Sequence, residues 1–217
     1  MPDDAPFPVV HAVTDDRIVA SAGFVTAAAQ VMGALGPRGA VHLRAPGLPV
    51  RMVLAHAERL ARIQELSGCW LVVNDRVDLA LAAGARGAQL TSRSLRPADA
   101  RRVAPGLRLG ASVHALDAAV EAEREGADWV VVGHVFESDS HPGEPGRGGE
   151  FLARVAAAVR VPAVAIGGVT PERVGALVAA GARGVAAIRG IWAAPHAGDA
   201  VGRYLSAHDA HDPEGGR

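Results

Sequence analysis

Lysine is absent from the sequence, and every one of its 22 basic residues is arginine. Without a lysine amine, the chain can form no Schiff base with a carbonyl substrate. The lysine of a P-loop is missing for the same reason, which excludes P-loop kinases and nucleoside triphosphatases. Any catalysis must therefore use other acid/base groups, with arginine as the source of fixed positive charge.

Cysteine, aromatic side chains and excess charge are also scarce. The single cysteine, Cys69, excludes an internal disulfide and a thiolate metal site, and we expect a buried structural thiol. Aromatic residues make up 4% of the chain, so alanine, valine, leucine and isoleucine must build the core. A formal net charge of −1 with interspersed signs predicts no binding to nucleic acid or to an anionic membrane.

Long apolar runs are missing as well. No uninterrupted apolar run approaches the ~20 residues of a membrane-spanning helix. Residues 1–6 contain neither the basic region nor the apolar stretch of a signal peptide. We therefore expect a cytoplasmic protein that acts on small molecules and that can form a homo-oligomer. The length of 217 residues fits one α/β domain.

The sequence does contain a repeated alternation of short β-branched runs with longer Ala/Leu/Arg segments of helical period. Eight βα units predict a single (β/α)8 TIM barrel over residues 1–207, with a doubly wound open sheet as the alternative. Residues 208–217 are polar and predicted to be a disordered tail. The predicted strands cover residues 9–15, 40–44, 70–75, 87–90, 108–113, 129–136, 162–167 and 184–188.

Glycine-bearing turns follow the seventh and eighth predicted strands. Two glycines in the first turn leave backbone N–H groups open, and Thr170-Pro171 begins a helix there. Barrels that bind phosphorylated substrates use these two positions, because several N–H dipoles converge at them. The alternative is that the glycines only make tight turns. The predicted phosphate-binding residues are Gly167, Gly168, Ile188, Arg189 and Gly190.

A histidine, His134, stands at the end of the sixth predicted strand, before a loop rich in glycine, proline and charge over residues 138–149. Imidazole titrates near neutrality, and barrel enzymes place catalytic groups at this end of their strands. His134 is therefore the predicted general acid/base, with a core histidine bonded to a backbone carbonyl as the alternative. Within the loop, His141 and Arg147 either reach an anionic substrate or only solvate the surface.

Together these segments resemble the thiamine phosphate synthase superfamily, and within it the TenI-type thiazole tautomerases. The resemblance follows family order through residues 11–16, 41–44, 74–80, 110–114 and 165–168. Its most discriminating part is the segment 133–139 leading to 146–148, since synthases usually carry proline in place of His134. The resemblance covers nearly the whole barrel.

The tautomerase branch implies conversion of the exocyclic-alkene tautomer of carboxythiazole phosphate to aromatic carboxythiazole phosphate, a step of thiamin biosynthesis. His134 would move the proton, with water, Ser112, His114 or the substrate carboxylate as a second group. Arg44 would hold that carboxylate or else pair with Asp75 or Asp15. No cofactor is expected. The residues expected to contact this phosphorylated thiazole are Arg44, Asn74, Ser112, Asp139 and Arg147.

Departures from the synthase pattern favour the tautomerase interpretation. Joining a pyrimidine diphosphate to a thiazole calls for magnesium and for cations on the leaving pyrophosphate. Synthases hold magnesium with an aspartate where this chain has Ser94, so Asp75 alone remains of the carboxylate pair, and no metal site is expected. Arg189 replaces a small residue and either reinforces or crowds the phosphate. A thiamine phosphate synthase-like transferase ranks second, and a non-catalytic phosphate-binding or regulatory barrel third.

Overall fold

The computed structural model describes residues 6–138 and 143–212. Eight parallel strands close into one barrel in sequence order, and the last strand pairs with the first. The single (β/α)8 barrel is therefore confirmed, and the open doubly wound sheet is wrong. The strands are β1 (Val10–Val13), β2 (Gly39–Leu43), β3 (Trp70–Asn74), β4 (Gly87–Leu90), β5 (Arg108–Val113), β6 (Trp129–Val132), β7 (Ala163–Ile166) and β8 (Gly184–Ala187).

Helices follow the strands and form the outer layer. A 3₁₀ turn, Gly36–Arg38, leads into β2. No helix in residues 6–138 and 143–212 is both long and apolar enough to cross a bilayer. The helices are α1 (Asp16–Val19), α2 (Phe24–Leu35), α3 (Val50–Ser67), α4 (Val77–Ala83), α5 (Pro97–Val103), α6 (Leu116–Arg124), α7 (Gly148–Ala158), α8 (Pro171–Ala179), α9 (Arg189–Trp192) and α10 (Ala197–Asp209).

In helix α3, the helical spacing of the apolar residues places them on one buried face. Its buried residues recur every third or fourth position, so one face of the helix covers the barrel. The helix ends at Gly68, whose φ of 74° favours glycine. On the buried face, the Gln64 side chain accepts the N–H groups of Leu71 and Arg86 at 2.9 and 3.1 Å. This polar side chain therefore ties α3 to the chain on either side of α4.

The barrel interior is built by alternation along the strands. Small and branched side chains fill most of it, and Trp70 and Trp129 close the end at which the strands begin, together with Phe7. The Trp129 indole N–H donates to the Gln89 side-chain oxygen at 2.9 Å. A Cβ on Gly110 would fall 2.2 Å from the Trp129 ring, so only glycine fits there. Three of the eight phenylalanine, tryptophan and tyrosine residues therefore lie at this end of the barrel interior.

Two buried histidines also lie inside the barrel, and the sequence patterns did not predict them. His11 Nδ1 is 2.8 Å from His42 Nε2, and His11 Nε2 is 3.0 Å from the Pro8 carbonyl oxygen. Since a carbonyl only accepts, His11 carries its proton on Nε2, and its Nδ1 accepts the N–H of His42. Burial lowers the pKa of His11 to about 4. Both rings are therefore neutral at pH 7.

Two predicted boundaries are wrong. Strand β6 ends at Val132 rather than at residue 136, because the next three carbonyls bond outside the sheet. The Gly133 carbonyl accepts from the His114 ring at 2.9 Å, and those of residues 134 and 135 accept the N–H groups of Arg147 and Gly148 at 2.9 and 3.0 Å. Helix α10 runs to Asp209, so the predicted tail does not begin at 208. His208 is buried, with its Nε2 3.2 Å from the Arg183 carbonyl oxygen. The rest of the predicted tail, residues 213–217, lies outside the described residues.

Candidate functional site

The carboxyl ends of the eight strands meet at one end of the barrel, as parallel topology requires. We call this ring the rim. It comprises residues 14–16, 44–46, 74–76, 91–94, 112–114, 133–136, 167–170 and 188–190. Most of the predicted site residues lie on it. Asp139 and His141 lie outside the described residues, and Arg147 stands just before α7.

The histidine of the β6 end lies directly against the turn that follows β7. A Cβ on Gly167 would fall 2.4 Å from the Cβ of His134, and Gly167 has a φ of 101°, so glycine is required on both grounds. The N–H of Val135 donates to the Ile166 carbonyl at 2.8 Å, and that of Phe136 to Gly167 at 3.1 Å. Backbone contacts therefore hold His134 beside the predicted phosphate site.

Two turns, residues 167–170 and 188–190, form what we call the phosphate turns. Tyr204 of α10 lies beneath both of them: its hydroxyl donates to the Val169 carbonyl at 2.9 Å, and a Cβ on Gly190 would fall 2.1 Å from the same oxygen. Burial raises the pKa of Tyr204 to about 12, so the hydroxyl stays protonated and donates. One buried side chain therefore sets the spacing of the two turns.

The first phosphate turn is also held from outside the barrel. The Arg173 guanidinium donates to the Gly168 carbonyl at 2.6 Å and lies 4.5 Å from the centre of the Phe136 ring. The same arginine therefore contacts both the β6 end and the β7 turn. With that carbonyl occupied, the N–H groups of the turn remain the feature available to an anion.

Arg44 is fixed at the rim through its backbone. The Thr14 hydroxyl oxygen accepts the Arg44 N–H at 2.9 Å and lies 3.1 Å from the carbonyl oxygens of His42 and Arg44. The predicted alternative, an ion pair of Arg44 with Asp15 or Asp75, is not found among the described residues. Asp15 instead accepts the N–H of Ile18 at 2.9 Å as the cap of α1. Within residues 6–138 and 143–212, the Arg44 guanidinium is therefore paired with neither of these carboxylates.

Asn74 connects the rim to the buried histidine pair. Its side chain lies beside His42, whose pKa is lowered well below its usual value by burial and further by the neighbouring His11. The Asn74 side-chain oxygen is buried and has no hydrogen-bond partner in the described part of the chain. A buried acceptor without a partner is costly, so this oxygen is suited to an N–H donor of a substrate.

Ser112 faces the rim from β5 and belongs to a defined network. Its hydroxyl oxygen accepts the Gln89 amide at 3.0 Å, and Gln89 in turn accepts the Trp129 indole N–H. Since Ser112 is the acceptor in this bond, its own O–H can donate to a ligand. The predicted position of Ser112 at the rim is thus fixed from within the barrel.

Asp75, the one carboxylate that remains of the synthase magnesium pair, is already occupied. Asp75 Oδ1 accepts the hydroxyls of Thr91 and Ser94, the second at 2.6 Å, and the Arg93 guanidinium lies 4.0 Å from Oδ2. No group of three or more His, Cys, Asp or Glu residues within 6–138 and 143–212 could hold a metal ion. Magnesium is usually bound by one or two carboxylates together with waters and substrate phosphates, and here the single carboxylate has its Oδ1 filled and an arginine beside its Oδ2. These residues do not fit that ion.

Sequence reasoning missed Tyr204, Thr14 and Arg173. Tyr204 is the single tyrosine of the chain and lies at helical spacing from Val201 and His208 in the last helix. Because a buried tyrosine hydroxyl needs a partner, this position carried a usable signal. Thr14 lies within residues 11–16, which resemble the family, but no role was predicted for it. Nothing in the local sequence of Arg173 indicates its contact with Gly168.

Known proteins of one family are similar to this chain. A profile described as thiamine monophosphate synthase matches residues 10–191. The thiamine-phosphate synthase of Methanoculleus marisnigri is 41% identical over 162 residues, which cover 74% of this chain and 77% of that protein. That of Roseiflexus castenholzii is 37% identical over 198 residues, 88% and 85% of the two chains. The solved thiamine phosphate pyrophosphorylase from Pyrococcus furiosus matches with a TM-score of 0.82 and 28% identity, covering 93% and 96%.

These similarities correct the expected reaction. Similar proteins that cover most of the barrel are named thiamine-phosphate synthases, so the prediction of a thiazole tautomerase, an isomerase, is wrong. The transferase that ranked second in the sequence analysis is better supported. The match to the superfamily and to its barrel is confirmed, whereas the TenI branch is not specified.

Proposed function

The chain belongs to the thiamine monophosphate synthase family of thiamine biosynthesis enzymes, and from this premise we propose that it is a thiamine phosphate synthase-type transferase. It would join a pyrimidine, supplied as its diphosphate, to a phosphorylated thiazole. The carbon–oxygen bond to the diphosphate breaks, a carbon–nitrogen bond to the thiazole forms, and pyrophosphate leaves with the electron pair. The substrates are small phosphorylated molecules, as expected for this family.

The main structural support for this proposal is the pair of phosphate turns, whose spacing is set by Tyr204. Backbone N–H groups of Gly167, Gly168 and Gly190 would bind the phosphate of the thiazole. The neighbouring Ile188 and Arg189 complete this proposed site. A phosphate held there directs the thiazole ring toward the barrel axis, where the second substrate must lie for the two to react.

The pyrimidine would lie over the other half of the rim. The buried Asn74 oxygen can accept an N–H of the pyrimidine, and the Ser112 hydroxyl can donate to a ring nitrogen. Arg44 would face the diphosphate and offset charge that develops on the leaving group. These three residues thus recognise the substrate at both its base and its diphosphate.

His134 takes a different role in this proposal. Formation of the carbon–nitrogen bond moves no proton from the substrate, so general acid/base catalysis is not needed at that step. Its contact with Gly167 supports a role in shaping the phosphate turn and the thiazole side of the site. Arg147, whose guanidinium lies 5.1 Å from the centre of the Phe151 ring, is proposed to border this side.

The test is a comparison of two thiazole substrates. Purified protein is mixed with the pyrimidine diphosphate and either the thiazole phosphate or its unphosphorylated alcohol, and coupled product is measured by chromatography. We expect turnover with the phosphate and a much higher KM for the alcohol, because the phosphate turns would contribute nothing to its binding. Equal KM values would contradict the phosphate site. Binding of both substrates without product would favour a non-catalytic barrel.

A further inference from the structure

We propose that the corner formed by Asp75, Thr91, Arg93 and Ser94 binds the substrate diphosphate through the Arg93 guanidinium, without a divalent cation. We call these four residues the Asp75 corner. The inference rests on the proposed function, because that reaction places a diphosphate at the rim. It also departs from the metal site that the synthase pattern calls for.

One oxygen of the Asp75 carboxylate has both of its acceptor positions filled. Asp75 Oδ1 accepts two hydroxyl groups, from Thr91 and Ser94. A carboxylate oxygen has about two acceptor positions, so both positions on Oδ1 are filled. A magnesium ion at this oxygen would have to displace at least one hydroxyl.

The hydroxyl of Ser94 is itself fully engaged. It donates to Asp75 at 2.6 Å and accepts the Thr91 N–H at 2.9 Å, and the Ser94 N–H donates to the Thr91 carbonyl at 2.9 Å. These bonds close a compact turn over residues 91–94. Rotating the Ser94 hydroxyl away to admit a metal would break two bonds at once. The turn therefore stabilises the occupied state of the carboxylate.

The remaining carboxylate oxygen faces a positive charge. The Arg93 guanidinium lies 4.0 Å from Asp75 Oδ2, and a cation placed between them would be repelled by the arginine. The Arg93 side chain is 64% exposed, whereas that of Asp75 is 19% exposed. The carboxylate thus lies behind the arginine and orients it, while most of the guanidinium faces solvent at the rim.

Arginine is suited to bind the diphosphate in place of a magnesium ion. Its planar guanidinium can bind two phosphate oxygens at once and always carries its charge. The Arg93 N–H also donates to the Thr91 hydroxyl oxygen at 3.3 Å, which fixes the backbone from which this side chain extends. By contrast, the nearby Arg76 is occupied by both carboxylate oxygens of Asp78. Arg93 is therefore the arginine of this corner that can take a diphosphate.

The experiment measures binding of inorganic pyrophosphate to the full-length protein by isothermal titration calorimetry, with EDTA present. We expect binding by the wild-type protein and a loss on the order of tenfold in affinity for Arg93→Ala, with partial recovery in Arg93→Lys. Arg102→Ala is the matched control, since Arg102 is an exposed arginine paired with Asp99 in α5. Its affinity should equal that of the wild type. Binding that appears only with magnesium, or that survives Arg93→Ala unchanged, overturns the proposal.

A second measurement addresses the carboxylate directly. Titration with Mn²⁺, followed by electron paramagnetic resonance, should detect no bound ion in the wild-type protein. Ser94→Asp adds a second carboxylate beside Asp75 and should create Mn²⁺ binding; a bound ion in the wild type overturns the inference. Neither measurement uses turnover. Failure of the coupling reaction, with Arg93-dependent pyrophosphate binding intact, would therefore count against the proposed function and not against this corner.

Discussion

The hydroxyl of Tyr204 donates to the Val169 carbonyl at 2.9 Å and at the same time occupies the space that a side chain at position 190 would need. Helix α10 therefore determines the geometry of the two phosphate turns, which follow β7 and β8.

Replacing Tyr204 with phenylalanine removes this single hydrogen bond and keeps the ring. We expect the free energy of unfolding to fall by about 1–3 kcal/mol, because the buried Val169 carbonyl loses its donor. The KM for the thiazole phosphate should rise about fivefold if 1 kcal/mol of that loss appears in binding. Urea denaturation and steady-state kinetics measure the two effects. A KM that rises equally for the pyrimidine diphosphate would argue against a local effect on the turns.

Replacing Gly190 with alanine tests the other half of the same contact. The new Cβ would fall 2.1 Å from the Tyr204 oxygen but 3.2 Å from the ring carbon that bears it. We expect a cost of about 1–3 kcal/mol from overpacking, and a smaller cost when Tyr204 is already phenylalanine. Gly202→Ala is the control, since nothing lies within 4 Å of its Cβ and it should not destabilise α10. Additive effects in the double variant would contradict the contact.

The buried pair of His11 and His42 makes stability depend on pH. The pKa of His11 is lowered from 6.5 to about 4 by burial, so below pH 6.5 the unfolded chain takes a proton that the folded chain refuses. The contribution of neutral His11 to the free energy of unfolding is therefore fully present above pH 6.5 and is lost as the pH drops toward 4. The loss from His11 alone should reach about 2 kcal/mol between pH 7 and 5.

Urea denaturation at pH 7, 6 and 5 measures this dependence. His208 and His56, whose pKa values are also lowered by burial, contribute in the same direction. The His11→Asn variant separates the contributions, since its stability should fall less steeply with pH than that of the wild type. Parallel pH profiles for the two proteins would show that His11 is not the cause.

The barrel and the phosphate turns were predictable because their signals are local. Every strand except β4 contains at least one β-branched residue, and the glycines at 167, 168 and 190 follow the last two strands. The end of β6 was not predictable, because the carbonyls that follow it bond to distant partners: the His114 ring after β5 and the N–H groups of Arg147 and Gly148. The reach of α10 likewise depends on a distant partner, the Arg183 carbonyl.

The contacts that define the site are long-range and leave little trace in sequence. His11 and His42 are 31 residues apart and meet because β1 and β2 pair in register, with His11 opposite Ala40. Tyr204 reaches Val169 across 35 residues. The wrong tautomerase prediction gave most weight to one segment, residues 133–139, whereas the similarity to synthases extends over most of the barrel.

The central claim is that the protein couples the two substrates and releases pyrophosphate. Its most direct measurement is a single-turnover reaction with enzyme in excess, in which thiamine phosphate and pyrophosphate are quantified in the same samples. The account predicts that both products form at equal rates and in a one-to-one ratio, and that they do so with EDTA present. Release of pyrophosphate without thiamine phosphate, or no product from either bound substrate, would contradict it.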